Sequence, residues 1–319
     1  MVDRDTRQWA AGAAAVFLLL AAPAAGEDRL RVGVNLTTIE TLPVWLAGDG
    51  AAGAGIAISG GGIPALMKGT VDVATHAETQ AVRHSSADPG LRVILTVAEY
   101  ENRLVARRTA GVRTGADLRG ARIATVPDTT AHYALANALQ AVALSERDVT
   151  VVAMAPRDMP AALMRGDVEA VSIWEPFAEQ SARALGRDAV ILDAAGYRER
   201  FDLNTTVTVL ADPVRRAAVV DLVRAVMAAA RRVRERPAEA TADIAGRLAI
   251  PLDVVVAAWD RFRFPASLPD DLADAMAEQE PWLAARQNRA PRSRAAIAGL
   301  IDDRPWREAA QGPAASSRK

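Results

Sequence analysis

Apolar residues follow two patterns along the chain, one typical of helices and one typical of β-strands. One stretch that combines both patterns occurs twice. Residues 65–72 read Ala-Leu-Met-Lys-Gly-Thr-Val-Asp, and residues 162–169 read Ala-Leu-Met-Arg-Gly-Asp-Val-Glu. In each copy a short helical run ends at a glycine, Gly69 or Gly166, which readily takes the left-handed conformation that closes a helix. A β-branched run follows at once. The pattern predicts a helix leading into a buried strand, built twice.

The remaining apolar runs before residue 210 predict an α/β fold. A helix is expected over 43–47, and a second begins at Thr129 or Thr130 with Leu135, Leu139 and Val142 on one face. Because β runs mostly alternate with helical runs, we expect wound sheets with largely parallel strands. Further strands are expected at 30–35, 56–58, 91–97, 104–106, 122–126, 150–154 and 188–192.

Two regions depart from this alternation. Residues 48–62 contain seven glycines around a brief apolar interval, so a flexible linker is the alternative to a short strand there. From Pro213 onward the pattern is helical, with Pro237, Pro251 and Pro269 marking helix starts and no further strand expected. We expect these C-terminal helices to cover the first lobe, and the tail after Arg304 to be polar and mobile.

Length and charge limit the classes of protein. A chain of 319 residues exceeds what one core usually organises, so two α/β lobes are expected. The formal charge is only −1, with 24 % charged residues. Binding to a nucleic-acid backbone needs a basic surface, so no nucleic-acid partner is predicted.

The first 26 residues have the pattern of an export signal. Arg4 and Arg7 precede an apolar stretch over 9–22, and Pro23 with small neighbours supplies a cleavage site. An uncleaved anchor is the alternative, although the stretch is short for a bilayer span. The sequence therefore predicts a signal peptide over 1–26 and a soluble periplasmic protein.

The chemistry available to the chain is restricted. It contains no cysteine, which excludes thiol catalysis, disulfides, a lipidated cysteine and cysteine metal sites. None of its three histidines has a second ligand at metal spacing, so no metal or cofactor is predicted. No Ser/His/Asp order or recognisable pair of carboxylates appears, so no catalytic residue is predicted.

Polar and aromatic residues follow both strands of the repeat. In open α/β sheets ligands bind at the carboxyl ends of strands. His76, Glu78 and Thr79 follow the first copy, and Trp174 with Glu175 follow the second, so we expect them on opposite walls of a cleft. The alternatives remain open: a helix cap near Glu78, a satisfied polar histidine, a core tryptophan, and a Glu175 that tethers the facing lobe.

A third candidate segment lies where a strand meets a helix. Thr129, Thr130, His132 and Tyr133 surround a helix start, whose free N–H groups and partial positive charge suit a sulfonate, carboxylate or nitrate. The alternatives are that a threonine only caps the helix and that His132 and Tyr133 only pack. The glycines at 60–62 lack the ending of a phosphate loop and are interpreted as a close-approach turn.

These residues resemble the exported substrate-binding proteins of ABC importers for nitrate, sulfonate and taurine, a group that includes binders of the thiamine pyrimidine precursor. The resemblance extends over nearly the whole mature chain. It rests on both copies of the repeat, on Thr129 with His132, and on Trp174-Glu175-Pro176. Gly111 with Asp117-Leu118 and Gly120 adds to it.

The resemblance implies the two-lobed, type II architecture of periplasmic binding proteins, with wound, mostly parallel sheets, flanking helices and extra C-terminal helices. Residues 27–107 with 208–319 would form one lobe, and 108–207 the other. Because the region over 48–62 looks shorter than in the family, that wall of the pocket departs from the family pattern. The family's ligand contacts correspond here to Thr37, Thr38, His76, Glu78, Thr79, Thr129, Thr130, His132, Tyr133, Trp174 and Glu175.

The function implied is capture of a small anionic or zwitterionic solute, resembling a sulfonate or taurine, for delivery to an ABC permease. The protein is then a monomer and not an enzyme. Two alternatives stay open. One is an enzyme of thiamine-pyrimidine synthesis on the same fold, although that family depends on a cysteine-rich motif. The other is a periplasmic ligand-sensing protein.

Overall fold

The structure is a computed structural model that describes residues 29–50 and 55–311. The predicted signal peptide over 1–26 lies outside the described residues. Nine strands are described: β1 (Leu30–Val34), β2 (Ile56–Gly60), β3 (Val73–Ala77), β4 (Leu91–Arg107), β5 (Arg122–Thr125), β6 (Thr150–Ala153), β7 (Ala170–Ser172), β8 (Ala189–Thr206) and β9 (Phe262–Arg263).

Helices separate most of these strands and make up nearly all of the C-terminal third. Seven lie before residue 212: α1 (Leu42–Asp49), α2 (Ile63–Met67), α3 (Glu78–His84), α4 (Thr130–Gln140), α5 (Met159–Arg165), α6 (Phe177–Leu185) and α7 (Val207–Ala211). Six follow: α8 (Pro213–Glu235), α9 (Pro237–Leu248), α10 (Leu252–Trp259), α11 (Leu272–Arg286), α12 (Arg294–Ala298) and α13 (Arg304–Ala310).

The sequence repeat is a structural repeat. Helix α2 leads to β3, and α5 leads to β7, with a glycine between helix and strand in each copy. Gly69 has φ +68° and Gly166 has φ +84°, so both take the left-handed conformation that the pattern predicts. The Gly166 N–H donates to the Ala162 carbonyl at 3.1 Å, which closes α5.

The strands form two parallel groups joined by two long strands. In the first lobe β1 lies between β2 and β3, and in the second β5 lies between β6 and β7, with parallel pairing in both. Strands β4 and β8 are antiparallel to each other and to β3 or β7, and each runs through both lobes. The predicted two-lobed α/β architecture is therefore confirmed. The residue bounds of the lobes stay a prediction.

Several predicted elements differ in extent. The expected strands over 91–97 and 104–106 are one strand, β4, whose ladder with β8 is irregular near Thr96 and again near Glu101. The second partner of β4 changes along the strand, from β9 at Glu99 and Tyr100 to β7 at Leu104 to Ala106, while β8 pairs with it throughout. The prediction of no strand after Pro213 was wrong, since β9 pairs with β4 at Tyr100.

Four apolar clusters form the cores. Helices α8, α9, α10 and α13 pack on the first lobe's sheet with β1 and β4, while α11 and α12 pack with α2 and α3. The second lobe has one cluster on each face of its sheet. The expectation of a mobile tail after Arg304 was wrong for α13, which buries Pro305 and Ala309 against the first lobe. No helix among the described residues has both the length and the apolar character needed to cross a bilayer.

Candidate functional site

The two lobes face each other across the carboxyl ends of their parallel strands. In the first lobe β1 leads into a 3₁₀ turn over Ile39–Thr41, and β3 leads into α3. In the second lobe β5 leads into α4, and β7 leads to Trp174. The Trp174 ring packs against apolar clusters of both lobes. These segments therefore form the two sides of one interlobe cleft.

The first lobe contributes an open groove with a volume of about 680 Å³. Small-molecule sites have volumes of roughly 300–1,000 Å³. His76 lies in it, beside Gly62, where a Cβ would come within 2.6 Å of the His76 Cδ2 atom. The Ala77 N–H donates to His76 Nδ1 at 3.1 Å, and burial lowers the His76 pKa to about 4. The groove is lined by residues of β1, β2, α2 and β3: Val34, Asn35, Leu36, Gly60, Gly61, Gly62, Pro64, Ala65, Lys68, Thr70, Thr75 and His76.

The threonines after β1 lie next to this groove. Thr37 is exposed, and its backbone N–H and hydroxyl both bond to the Asn35 side chain, at 3.1 and 2.8 Å. Thr38 is buried, and its hydroxyl lies 3.5 Å from that of Thr41. Burial raises the Glu40 pKa, and a bond from the Thr38 hydroxyl to the Glu40 carboxyl offsets part of that rise. Thr37 is thus at the rim and Thr38 inside.

Glu78 and Thr79 are held by neighbours within the chain. The Tyr197 hydroxyl and the Gln279 amide donate to Glu78 Oε1 at 2.6 and 2.8 Å, and the Arg200 N–H donates to Oε2 at 2.8 Å. The Thr79 hydroxyl donates to Gln279 Oε1 at 2.7 Å. Burial raises the pKa of Glu78 despite these donors. Both oxygens of Glu78 therefore already have partners.

Thr129 and Thr130 lie at the start of α4. Thr129 is the N-cap residue, but its hydroxyl donates to the Val126 carbonyl at 2.7 Å and accepts no bond from the helix. The first turn of α4 therefore has no side-chain cap. Thr130 is buried, and its hydroxyl bonds to the Glu199 carboxyl.

His132 and Tyr133 take part in contacts between the lobes. His132 Nε2 lies 3.3 Å from Glu146 Oε2 in the second lobe, and its ring meets Trp282 of the first lobe edge-on at 5.3 Å. Tyr133 meets Trp282 in the same way at 5.3 Å. Trp282 Nε1 donates to Glu146 Oε1 at 3.1 Å, and the Arg286 guanidinium lies 3.0 Å from Glu146 Oε2.

We call His132 and Glu146 with Trp282 and Arg286 the interlobe latch. The hydrogen bond from His132, together with those from Trp282 and Arg286, lowers the Glu146 pKa to about 2. Asp128, at the turn before α4, adds a second connection, since Arg286 Nε lies 3.1 Å from its carboxylate. Charges and an indole N–H thus join α11 of the first lobe to the second lobe.

Glu175 is bound to β4, one of the two strands that run through both lobes. Its Oε1 accepts bonds from Arg103 Nε and Nη2 at 3.0 and 2.7 Å, and its Oε2 accepts the Glu179 N–H at 2.8 Å. Glu175 is fully buried and Arg103 is 6 % exposed. Because Arg103 lies on β4, this ion pair fixes the loop after β7 to a strand that both lobes share.

Trp174, which precedes Glu175 in the sequence, carries a polar atom without a hydrogen-bond partner among the described residues. Its Nε1 is buried and has no hydrogen-bond partner in the described part of the chain. A buried indole N–H usually has an acceptor. A cleft ligand or an ordered water molecule would supply one.

Sequence reasoning missed two further acidic residues at the cleft. Glu40 lies in the 3₁₀ turn after β1 and is 6 % exposed, and Glu199 lies on β8 and is 5 % exposed. Burial raises the Glu40 pKa to about 7, and burial with the nearby Glu40 raises the Glu199 pKa well above its usual range. Glu40 lies two residues after Thr38, so its position in the sequence was a usable signal. Glu199 gave none, because no strand was predicted there.

No group of three or more acidic, histidine or cysteine side chains suited to a metal ion occurs within 29–50 and 55–311. The potential donors at the cleft are carboxylates, hydroxyls and one amide, and Arg103 already occupies the Glu175 carboxylate.

Comparison with known families gives one match. The family described as "NMT1/THI5 like" matches residues 58–240, which is more than half of the chain. The matched range begins within β2 and ends within α9. The comparison with curated proteins gives no match.

Solved structures share the fold at low identity. The periplasmic aliphatic sulphonate binding protein SsuA from Escherichia coli is 17% identical, with a TM-score of 0.69 over 86% of this chain and 92% of that one. The alkanesulfonate-binding protein SsuA from Xanthomonas axonopodis pv. citri, bound to MOPS, is 20% identical, with a TM-score of 0.70 over 88% and 100%. The desulfurization enzyme DSZB is 16% identical, with a TM-score of 0.63 over 89% and 99%.

Proposed function

The chain belongs to the NMT1/THI5-like family, and from that premise we propose that it is a solute-binding protein of an ABC importer. It binds a small anionic or zwitterionic organic solute in the interlobe cleft and delivers it to a membrane permease. In this proposal residues 1–26 direct export to the periplasm, and the protein acts as a monomer. The residue bounds of the lobes, 27–107 with 208–319 and 108–207, belong to the same proposal.

The observation that carries the proposal is the interlobe latch. Glu146 of the second lobe meets Trp282 and Arg286 of the first lobe. The groove lies on the first lobe, and Trp174 packs against apolar clusters of both lobes. A ligand drives closure only by binding the closed form more tightly than the open form. Contacts across the cleft that form only when the lobes close supply part of the difference in free energy between the closed and the open form.

The ligand class follows from the start of α4. Its first-turn N–H groups have no side-chain cap, and a helix N-terminus attracts an anionic group. The similarity to sulfonate-binding structures, although it concerns the fold alone, makes sulfonates the first solutes to test. The ligand contacts we propose are His76, the start of α4 at Thr129 and Thr130, and Trp174, with Thr37 at the rim.

Other predicted contacts have a supporting place in this proposal. Glu78, Thr79 and Glu175 already bond to side chains or backbone of the chain, so they position the walls. His132 and Tyr133 belong to the closing contacts on the rim. Thr38 orients the buried Glu40 carboxyl.

An enzyme is the competing class, because a desulfurization enzyme has a similar fold. The fold therefore does not decide between a binder and an enzyme. Two features favour a binder. The chain has no cysteine to act as a nucleophile, and the buried carboxylate of Glu175 is paired with Arg103.

The test is a thermal-shift screen of the purified protein with taurine, alkanesulfonates, nitrate and aminopyrimidines. We expect at least one solute to raise the melting temperature, and Arg286→Ala to reduce that shift. Arg165→Ala is the matched control, since Arg165 is exposed and pairs only with nearby Asp167. No shift with any solute would count against the proposal. Fractionation of expressing cells, with the mass of the exported chain, tests the export signal.

A further inference from the structure

Two buried acidic side chains meet beside the crossing strands. The turn that carries Glu40 packs on β4, and Glu199 lies directly opposite Tyr100 in the ladder of β4 and β8. The Asn102 amide donates to Glu199 Oε2 at 3.3 Å. Glu40, Glu199 and Asn102 therefore form an acidic cluster beside the crossing strands, with Thr130 of the second lobe bonded to Glu199.

The buried charges around these strands do not balance. Arg103 pairs with Glu175 and Glu179, and the Arg200 side chain pairs with Asp271. Among the described residues neither Glu40 nor Glu199 has an ion-pair partner. Burying an unpaired carboxylate is costly, so the site favours a compensating positive charge. The buried carboxyl groups around the crossing strands are those of Glu40, Glu78, Glu175, Glu199 and Asp202, and the buried guanidinium groups are those of Arg103 and Arg200.

Unpartnered polar atoms beside the cluster point to a ligand independently of its charge. The Asn102 side chain is 3 % exposed, and its Oδ1 has no hydrogen-bond partner, although its amide nitrogen bonds to Glu199. An open acceptor therefore lies next to the Glu199 carboxyl. The Tyr100 hydroxyl, opposite Glu199 in the ladder, is also buried without a partner. Buried polar groups are normally satisfied, so a bound group is expected here.

The geometry points to a site in which Glu40, Glu199 and Asn102 Oδ1 bind a protonated amine of the solute. An ammonium group offers three donors and no acceptor, which matches three acceptor groups. This inference rests on the proposed function and narrows the ligand to a zwitterion. The ammonium lies at the acidic cluster, and the anionic group lies at the start of α4. Opening of the lobes gives the amine access to the buried pair.

Binding at this site exchanges a proton for the amine. Burial raises the pKa of both carboxyl groups, that of Glu40 to about 7, so the empty pair retains a proton near neutral pH. The ammonium displaces that proton to the buffer, and affinity therefore rises as the pH rises through about 7. The other charged or titratable groups around the pair are Glu78, Tyr100, Arg103, Glu175 and Arg200.

The test compares solutes that differ only in the amine. Taurine and isethionate share a sulfonate, and isethionate has a hydroxyl in place of the ammonium; 3-aminopropanesulfonate and 3-hydroxypropanesulfonate form a second pair. The solutes are titrated into the purified protein in a calorimeter. Where a pair binds, we expect the member with the amine to bind at least about tenfold more tightly than the member with the hydroxyl. The same titrations in buffers of different ionisation enthalpy count the protons released on binding. Binding of the amine compound should release a proton from the protein, and binding of the hydroxyl compound should not.

The variant Glu40→Gln/Glu199→Gln keeps the size of both side chains and removes the charge. We expect its preference for the amine to fall below threefold and its proton release to vanish. Glu239→Gln, on the exposed surface of α9, is the control and should retain both. Equal binding of both members of a pair, or a preference that survives in the double variant, would overturn the inference while leaving the proposed function intact. Binding of none of the four solutes would reject the zwitterion inference, and only failure of the wider thermal-shift screen would reject the proposed function.

Discussion

Trp282 Nε1 donates a hydrogen bond to Glu146 Oε1 across the cleft, with a nitrogen to oxygen distance of 3.1 Å. Trp282 belongs to α11 of the first lobe, and Glu146 follows α4 in the second. Arg286, one turn further along α11, lies 4.5 Å above the Trp282 ring and bonds to the same carboxylate. One carboxylate of the second lobe thus receives an indole N–H and a guanidinium from the first.

Removing the latch should weaken binding without unfolding the protein. Glu146 and Arg286 are partly exposed, so the net effect of their ion pair on stability is small. Glu146→Gln should reduce affinity for the bound solute by about tenfold, because hydrogen bonds to charged groups contribute roughly 1.5–3 kcal/mol. Calorimetric titration and thermal melting of the same variant separate the two effects. Unchanged affinity would show that these contacts do not stabilise the closed form.

The ion pair between Glu175 and Arg103 should stabilise the fold. Glu175→Ala leaves Arg103 buried with only Glu179 as a partner, so we expect a loss of about 3 kcal/mol in the free energy of unfolding. Urea denaturation measures that loss. Replacing both residues together, as Arg103→Met/Glu175→Leu, should recover part of it. A single variant as stable as the wild type would contradict the assignment of Glu175 as a buried tether.

Gly62 should matter through its contact with His76. Its φ of −158° is extended backbone, so the effect of a side chain is steric. An added Cβ would lie 2.6 Å from His76 Cδ2, and overpacking of this kind costs about 1–3 kcal/mol. We expect Gly62→Ala to lower the melting temperature and to weaken solute binding. Gly55→Ala is the matched control, because nothing lies within 4 Å of its Cβ position. If Gly62→Ala and Gly55→Ala changed the melting temperature and solute binding equally, the predicted steric contact with His76 would be wrong.

His76 should make stability depend on pH. Burial holds its pKa at about 4 in the folded protein, below the usual 6.5. The folded state therefore binds fewer protons, and the stability linked to His76 is complete above pH 6.5 and is lost as the pH falls towards 4. Urea denaturation between pH 7 and pH 4 should show a shallower loss for His76→Gln than for the wild type. If the free energy of unfolding fell equally with pH in both proteins, His76 would not contribute to the pH dependence.

The fold was predictable from sequence mainly where apolar periodicity and glycine agree. Gly69 and Gly166 mark equivalent helix ends, and the strands after them are buried, so the repeat identified corresponding edges of the two lobes. The length of β8 was not predictable, because its middle carries Arg198, Glu199 and Arg200, which read as a polar loop. They lie in a strand because they pair with Glu99, Tyr100 and Glu101 of β4 in the antiparallel ladder.

The sequence predicted that the candidate residues follow the ends of strands. It did not predict which hydrogen-bond partners they have. Glu78 follows β3 as expected, yet its partners Tyr197 and Gln279 are 119 and 201 residues away in sequence. Likewise, Glu146 meets Trp282 only because α11 packs on the first lobe. No local pattern reports such pairings, since they depend on how the C-terminal helices return to the first sheet.

Calorimetric titration of the solute that gives the largest thermal shift, into the wild type and Trp174→Ala, tests the central claim most directly. Trp174 contacts the apolar clusters of both lobes and has an unpartnered N–H, so it should contact a ligand held between them. We predict one solute molecule per chain in the wild type and at least about tenfold weaker binding in the variant. No binding by the wild type, or unchanged binding by a folded Trp174→Ala protein, would contradict a solute site in the interlobe cleft.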